Sequence, residues 1–382
     1  MKQPAALIGI VAGEMSGDII AAGLIQQIRQ RHPEIVFVGI GGERMIAAGC
    51  QSLFPLERLS VMAITEVLGR LKELLGIRKH IFNYFKQNRP LVFIGVDAPD
   101  FNLRLEFKLK QLGIPTIHYV SPSVWAWRSY RVKKIKKSID LMLTLFPFEA
   151  AFYEKYQVPV KFVGHPQGDA FPIEVDEKQA KQALGIAENR RVLALLPGSR
   201  KSEVMRLGEL LRDSALRLQQ QHGDLSFVIP VANEYLQALV ESIFKSTEQV
   251  KFQLVIGQSQ TVMSAADVII MASGTAALEA MLLKKPVVVT YKVSPLSYFL
   301  IKRLANVDQV ALPNFLTPTP LVPEYLQDQA TVENLVAATN RYLQQPEKVA
   351  ELKHVFAQVH RDLRKNTNQQ AAKAVMELIN YD

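Results

Sequence analysis

Short apolar runs alternate with longer amphipathic segments along most of this 382-residue chain. In the first half, the apolar runs lie at residues 5–11, 35–40, 91–95, 116–120, 141–145 and 160–163. Such runs are typical of strands buried on both faces, and helical patterns between them, as at 18–31, indicate a parallel sheet. We therefore predict a doubly wound, Rossmann-like α/β domain over residues 1–166.

The same alternation begins again after Gly164-His165-Pro166. The second set of predicted strands covers residues 191–196, 225–230, 252–256, 268–271 and 286–291, with helices that include 203–221 and 276–283. This predicts a second Rossmann-like domain over 167–345 and C-terminal helices over 346–382, which return to the first domain or pack on a partner subunit. Two such domains facing a central cleft would place ligands at the carboxyl ends of their strands.

The charge balance favours an acidic partner. Lys and Arg number 45 against 36 Asp and Glu, a formal net charge of +9. The single cysteine, Cys50, excludes an intrachain disulfide framework and a Cys-based zinc cluster. With no leader pattern and no apolar run of ~18–20 residues, we expect a cytoplasmic protein that does not cross the membrane.

A cluster of basic residues follows the second tryptophan. It consists of Arg128, Arg131, Lys133, Lys134, Lys136 and Lys137. At helical spacing such a run forms a solvated face, or it holds the protein against anionic headgroups or a substrate phosphate. Nucleic acid is disfavoured as a partner because no nearby segment resembles a nucleic-acid-binding module.

The first segment with candidate chemistry is the turn after the first strand. Gly13 lets a ligand approach the backbone, while Glu14 and Ser16 precede a helix N-terminus that favours anions or hydroxyls. A plain turn capped by Ser16 or Asp18 is the alternative. The segment carries neither a Walker motif nor Gly-x-Gly-x-x-Gly, so a dinucleotide site is disfavoured.

A pair of carboxylates follows the 91–95 strand. Asp97, at the mouth of a buried strand, is the leading candidate for a base that accepts a proton from an attacking hydroxyl. Asp100 is better explained as a cap of the next helix. Trp125 and Trp127 lie in the next segment with candidate chemistry, residues 118–128. There they contact a sugar or a lipid chain, or they pack in the core. His118, in the same segment, is expected to be buried.

Two strand ends in the second domain resemble phosphate sites. Ser199 and free backbone amides can bind phosphate oxygens, and Arg200 offers a bidentate guanidinium. Ser273, Gly274 and Thr275 open a helix in the same way. Glu279 lies four residues after Thr275 on one helical face, where its carboxylate can accept ribose hydroxyl hydrogens.

Taken together, these motifs resemble those of bacterial lipid-A-disaccharide synthases, glycosyltransferases of family 19 with the two-domain GT-B fold. The resemblance covers essentially the whole chain and rests on residues 11–18 (VAGEMSGD), 39–42 (GIGG), 93–102 (FIGVDAPDFN), 119–127 (YVSPSVWAW), 162–166 (FVGHP), 195–200 (LLPGSR), 272–279 (ASGTAALE) and 312–314 (LPN). Met15 stands where the family has a small residue.

The resemblance implies an inverting transfer without a metal or cofactor. UDP-2,3-diacylglucosamine and 2,3-diacylglucosamine 1-phosphate (lipid X) would give the β-1,6-linked lipid A disaccharide 1-phosphate and UDP. Asp97 would be the base, and Arg200 would stabilise the leaving diphosphate. The implied UDP-sugar site comprises Ser199, Arg200, Glu203, Ser273, Gly274, Thr275, Glu279 and Asn314. The implied acceptor site comprises Gly13, Glu14, Ser16, Asn102, Ser121 and Trp125.

Acylated substrates require contact with a membrane. The amphipathic segment from residue 61 to 77 is the candidate, through Val61, Met62, Val67 and Leu68, with basic residues alongside; a core-facing helix is the alternative. We expect peripheral association with the anionic inner membrane, and a homodimer is possible. The competing functions are another UDP-sugar enzyme of GT-B fold (a MurG-like transferase or a 2-epimerase) and a nonenzymatic basic scaffold.

Overall fold

In this computed structural model, the described residues are 6–59, 64–127, 129–244, 250–294, 298 and 309–381, and the side chains of 64–68 are not described. The chain divides into two units. Unit 1 comprises Met1–Asp169 and Leu363–Asp382, and unit 2 comprises Ala170–Asp362.

Unit 1 contains a parallel sheet of seven strands in the order β3-β2-β1-β4-β5-β6-β7. The strands are β1 Leu7–Ala12, β2 Val36–Gly41, β3 Cys50–Pro55, β4 Val92–Val96, β5 Thr116–Tyr119, β6 Leu141–Thr144 and β7 Val160–Phe162. The helices that follow in the chain are α1 Met15–Arg31, α2 Glu43–Ala47, α3 Ile64–Gln87, α4 Pro99–Lys110, α5 Val132–Ser138, α6 Pro147–Lys155 and α7 Pro166–Ala170.

Unit 2 contains a parallel sheet of six strands in the order β10-β9-β8-β11-β12-β13. Its strands are β8 Arg191–Leu196, β9 Leu225–Val231, β10 Phe252–Ile256, β11 Val268–Ala272, β12 Val287–Tyr291 and β13 Glu324–Leu326. The helices continue as α8 Glu177–Ala183, α9 Lys201–Gln221, α10 Glu234–Phe244, α11 Ser259–Ala265, α12 Ala276–Leu282, α13 Leu312–Phe315, α14 Val332–Gln344, α15 Pro346–Leu363 and α16 Thr367–Ile379.

Both faces of the unit 1 sheet are covered by helices, as the sequence predicts. Ile8 and Ile10 of β1 are fully buried in a core cluster that includes residues of α1 and α16. Val11 points the other way, into a second cluster with residues of α3 and α4. Successive side chains of β1 therefore point to opposite faces of the sheet and are buried in two different core clusters. The predicted doubly wound architecture is therefore confirmed for each unit.

The C-terminal helix α16 belongs to unit 1. Its Val375 and Ala371 are fully buried in the first core cluster, beside α1. Asp169 accepts hydrogen bonds from the backbone amides of Asn366 (2.9 Å) and Thr367 (2.6 Å), at the start of this helix. The chain therefore returns to complete the core that it began.

Candidate active site

Part of the predicted site lies at the topological switch point of each sheet. In unit 1, β1 and β4 are neighbours from which the connections run in opposite directions, and β8 and β11 have the same relation in unit 2. Ligands of doubly wound folds bind beyond the carboxyl ends of such strands. Gly13 and Asp97 follow the first pair of strands, and Ser199 and Ser273 follow the second.

The loops after β1 and β4 are in close contact. A Cβ atom added to Gly13 would overlap the Cβ of Ala98, so only glycine allows this approach. Partial burial and the nearby negative charge of Asp97 raise the pKa of Glu14. The structure therefore brings Gly13, Glu14 and Asp97 close together at the carboxyl ends of β1 and β4.

Asp97 lies in a strained turn. It and Ala98 have φ values of 55° and 43°, a left-handed conformation that residues with a side chain rarely adopt. The buried side chain of Asn102 donates to the Asp97 carbonyl (2.8 Å) and to the Val11 carbonyl (3.2 Å), which ties the turn to β1. Among the described residues, the half-buried Asp97 carboxylate accepts no hydrogen bond and forms no ion pair. It is therefore available to a substrate hydroxyl.

The expected capping roles near these loops are wrong in detail. Neither Ser16, which is exposed, nor Asp18 caps α1; the Asp18 carboxylate instead accepts from the amides of Gly42 (2.7 Å), Arg44 and Met45 at the start of α2. Asp100 lies in the first turn of α4 but forms an ion pair with Arg131 at 2.5 Å. Of the two carboxylates predicted after β4, only Asp97 lacks a described partner.

Ser121 and Trp125 are held by groups of the protein itself. The Ser121 hydroxyl is buried, 3.1 Å from the Tyr153 hydroxyl, and it donates to the Pro122 carbonyl. The Trp125 ring packs edge-on against Phe148, with ring centroids 4.8 Å apart. For Trp125 this contact favours the alternative that the side chain packs in the core.

In unit 2, Glu203 occupies the amides predicted to bind phosphate. Its carboxylate accepts from the backbone N–H of Ser199 (3.0 Å) and of Arg200 (3.2 Å) at the start of α9. Gly198 has a φ of 114°, and a Cβ there would overlap Glu203. The expectation that these amides are free is therefore wrong. The Arg200 guanidinium is 77% exposed and lies 3.7 Å from the same carboxylate, so it can turn to an anionic ligand.

The loop after β11 is open. The Ser273 hydroxyl donates to the Val310 carbonyl over a long distance of 3.4 Å. Gly274 and Thr275 are exposed, and a Cβ on Gly274 would meet no atom within 4 Å. Glu279 is half-buried on α12, one turn after Thr275. This arrangement leaves room for a ligand beside Ser273 and Gly274.

The Asn314 side chain is hydrogen-bonded within its own loop. Its side-chain oxygen accepts from the amides of Leu321 and Val322, and its side-chain nitrogen donates to the Val322 carbonyl and to Glu324. Glu324 also accepts from the amides of Val310 and Ala311. Asn314 therefore organises the segment that follows β12 and does not present its amide to solvent.

Several predicted residues lie beyond what the structure describes. Val61, Met62 and Arg128 are outside the described residues, as are the side chains of Val67 and Leu68. On α5 the cluster's lysines are exposed and Ile135 is buried, which favours a solvated face. Those lysines are Lys133, Lys134, Lys136 and Lys137.

Sequence reasoning missed two acidic side chains that contact the site loops or underlie them, whereas His118 is buried as predicted. The two are Glu106, which forms a buried pair with His118 beneath the Asp97 turn, and Glu324. The spacing of four residues from Asn102 to Glu106 is a signal that both lie on one face of α4. In the described part of the chain, no three His, Cys, Asp or Glu side chains come together as metal ligands.

Comparison with known proteins confirms the predicted family. Residues 8–378 match the family described as lipid-A-disaccharide synthetase. The lipid-A-disaccharide synthase of Alcanivorax borkumensis is 48% identical over 378 residues, covering 99% of both chains. That of Pseudomonas putida is 49% identical over 372 residues, covering 97% of this chain and 98% of the relative.

Solved structures confirm the GT-B fold. UDP-GlcNAc 2-epimerase from Neisseria meningitidis, bound to UDP-GlcNAc, aligns with a TM-score of 0.63 at 15% identity, covering 98% of this chain and all of that one. MurG from Acinetobacter baumannii aligns with a TM-score of 0.60 at 12% identity, covering 97% of this chain and 99% of its own. At these identities the likeness extends to the fold alone.

Proposed function

The chain belongs to the lipid-A-disaccharide synthetase family, and we propose that Asp97 is the base of its transfer reaction. The activity is that of a lipid-A-disaccharide synthase, in lipid A biosynthesis. The substrates are taken to be those of the family, UDP-2,3-diacylglucosamine as donor and 2,3-diacylglucosamine 1-phosphate as acceptor. The observation that supports the role of Asp97 is its carboxylate, which has no partner among the described residues and is held at the unit 1 switch point by a strained turn.

The reaction is a single displacement. The Asp97 carboxylate accepts the proton of the acceptor 6-hydroxyl, and that oxygen attacks the anomeric carbon of the donor. The bond from this carbon to the UDP oxygen breaks, UDP leaves with the electron pair, and the anomeric configuration inverts.

Unit 2 stabilises the leaving group in this proposal. The exposed Arg200 guanidinium turns from Glu203 to the diphosphate, where charge grows as the bond breaks. Ser199, Ser273 and Thr275 supply hydroxyls to the phosphates, Gly274 and Thr275 supply backbone amides, and Glu279 accepts from the ribose. Asn314 and Glu324 act indirectly, by holding their loop in shape.

The first test replaces each of two neighbouring carboxylates. Asp97→Asn removes the base and should lower kcat by about 10²–10⁴-fold while UDP still binds. Asp100→Asn is the matched control, because that carboxylate is already paired with Arg131, and it should stay within about threefold of wild type. The assay is acceptor-dependent UDP release, with UDP binding followed by calorimetry. Equal activity of Asp97→Asn and wild type would refute the assignment.

Peripheral contact with an anionic membrane is the second part of the proposal. No helix among the described residues is long and apolar enough to span a bilayer. On α3, Leu71 and Leu75 are 45% and 44% exposed and four residues apart, and Lys72 and Lys79 are also exposed. Because residues four apart share a helix face, this surface combines apolar and basic groups, as interfacial helices do. The predicted homodimer stays a prediction that sedimentation velocity can check.

Introducing negative charge on the exposed face of α3 tests the membrane contact. The double change Leu71→Glu with Leu75→Glu should weaken binding to anionic phospholipid vesicles by at least about tenfold. Tyr235→Glu is the control, since Tyr235 is 73% exposed on α10 of unit 2. Cosedimentation of the three proteins with vesicles gives the comparison. Unchanged binding of the α3 variant would show that this face does not meet lipid.

A further inference from the structure

Two ionisable side chains are buried directly beneath the Asp97 turn. Glu106 of α4 and His118 of β5 are both 0% exposed, and the His118 Nδ1 atom lies 2.7 Å from a Glu106 carboxylate oxygen. Neither residue takes part in the displacement described above. Burying two ionisable side chains costs desolvation free energy, so the pair needs a structural or functional explanation.

The pair reaches the catalytic turn through Asn102. His118 is the strand neighbour of Gly95 in the β4–β5 register, so both face α4. A Cβ on Gly95 would overlap the Glu106 Oε1 atom and would lie 2.9 Å from the Asn102 Cγ. Because Asn102 and Glu106 are four residues apart on α4, they lie side by side against the space that Gly95 leaves open.

Hydrogen-bond accounting links the two side chains. The Asn102 amide nitrogen donates to the carbonyls of Asp97 and Val11, so its oxygen points away from them and needs a donor. Among the described residues, that Asn102 Oδ1 atom and the Glu106 Oε2 atom are both buried without a partner. A proton on Glu106 Oε2 satisfies both atoms at once, because Oε2–H can donate to Asn102 Oδ1.

The other contacts agree with this assignment. Glu106 Oε1 then accepts from His118 Nδ1–H, which leaves Nε2 as the unprotonated nitrogen of a neutral imidazole. That Nε2 atom has no hydrogen-bond partner among the described residues. Burial also raises the pKa of Glu106, although the neighbouring His118 opposes the rise.

We propose that Glu106 is a neutral carboxylic acid and a positioning residue: with His118 it orients Asn102, which holds the Asp97–Ala98 turn in its left-handed conformation. This inference rests on the proposed role of Asp97 as the base. Without the Glu106 donor, the Asn102 amide can rotate and release the Asp97 carbonyl. The turn then relaxes and moves the carboxylate away from the acceptor hydroxyl.

The test compares an isosteric variant with an apolar one. Glu106→Gln keeps an oxygen for His118 Nδ1–H and an N–H donor for Asn102, so kcat should stay within about threefold of wild type. Glu106→Leu removes the donor, and kcat should fall by about 10–100-fold because small displacements of a reacting group are costly. KM for the donor and UDP affinity should be unchanged in both variants, since Glu106 is in unit 1.

A stability control separates positioning from general weakening. Asp140→Ala removes the side chain that accepts from the Thr116 amide and pairs with Lys110, at the opposite end of β5. It should lower the urea midpoint without lowering kcat. If Glu106→Leu retains wild-type kcat, or if Glu106→Gln is as impaired as Glu106→Leu, the proposal is overturned.

Infrared spectroscopy gives a readout that does not depend on activity. The difference spectrum between wild type and Glu106→Gln at neutral pH should contain the C=O stretch of a protonated carboxyl group, and its absence would overturn the proposal even if Glu106→Leu fails to fold. The Asp97→Asn result distinguishes a failure of the proposed base from a failure of the proposed positioning role of Glu106. Full activity of Asp97→Asn refutes the proposed base, whereas an inactive Asp97→Asn with an unaffected Glu106→Leu refutes only the positioning role.

Discussion

At the scale of single residues, the Asp97–Ala98 turn is the feature that most needs a functional explanation. Two consecutive non-glycine residues with positive φ cost roughly 1–3 kcal/mol each. The hydrogen bonds from Asn102 and the missing side chain at Gly13 allow this turn to persist. The strained turn directs the Asp97 carboxylate away from the end of β4. A relaxed turn would place this carboxylate in a different position.

Gly13→Ala should therefore damage activity while leaving the fold intact. The new Cβ would overlap Ala98, so the turn shifts and kcat falls by about 10²-fold. Gly17→Ala is the matched control four residues later: its nearest neighbour would be the Val96 carbonyl at 3.4 Å, an ordinary contact. Because Gly17 is inside α1, alanine there should stabilise the protein by about 0.5–1 kcal/mol. UDP release and urea unfolding of both variants check the prediction, and equal kcat values for the two would contradict it.

Residue types and spacing identified the loops that form the candidate site but did not reveal how each side chain is engaged there. Asp97 was predicted because a carboxylate at the mouth of a buried strand can accept a proton from an attacking hydroxyl. The bonds of Asn314 and Glu203 depend on how the loop closes around them, which neighbouring residues in the sequence do not encode. Glu106 was missed because an acid inside an amphipathic helix is expected to face solvent.

At the scale of elements, α6 is capped by a buried acid. The carboxylate of Glu149 accepts from the Phe146 amide at 3.2 Å. Burial raises its pKa to about 8, although hydrogen bonds from the backbone and from Trp125 favour the ionised form. The folded chain therefore keeps a proton that the unfolded chain loses at a pH near 4.5.

This proton predicts how stability changes with pH. Between about pH 4.5 and 8 the folded state binds more protons at Glu149 than the unfolded state, so this group's contribution to stability falls as pH rises. Glu149→Gln mimics the neutral acid and does not titrate. The variant should be within about 1 kcal/mol of wild type near pH 5 and exceed its free energy of unfolding by on the order of 4 kcal/mol near pH 8. Urea unfolding across this range measures the difference; a difference that is constant with pH would mean that Glu149 is ionised in the fold.

Eleven of the strands in the described structure were predicted, and the two that were missed share a cause. Both β3 and β13 are edge strands, and neither is a continuous apolar run. An edge strand is hydrogen-bonded to a neighbouring strand along one edge only, so its sequence tolerates polar residues such as Gln51 and Glu324. The predicted C-terminal helices over 346–382 begin at Pro346, the first residue of α15, because proline is favoured in the first turn of a helix and not inside one.

At the scale of the whole molecule, unit 1 is built from both ends of the chain. The α16 helix contributes Ala371, Ala372, Ala374 and Val375 to the core cluster that contains β1. Polar contacts extend this attachment, with Lys161 3.0 Å from Glu377 and the Tyr381 hydroxyl donating to Glu34. Unit 1 therefore cannot finish folding until the last residues of the chain are present.

The separation into two units predicts that each can be unfolded without the other. Val375→Asp buries a carboxylate in the unit 1 core, whereas Val240→Asp does the same in unit 2, on α10. An unpaired buried charge costs several kcal/mol, so each change should unfold its own unit. Both tryptophans of the chain, Trp125 and Trp127, lie in unit 1, so their fluorescence reports on that unit alone. Val375→Asp should lose the tryptophan unfolding transition and keep UDP binding measured by calorimetry, and Val240→Asp should show the opposite. Loss of both signals in either variant would mean that the two units fold as one.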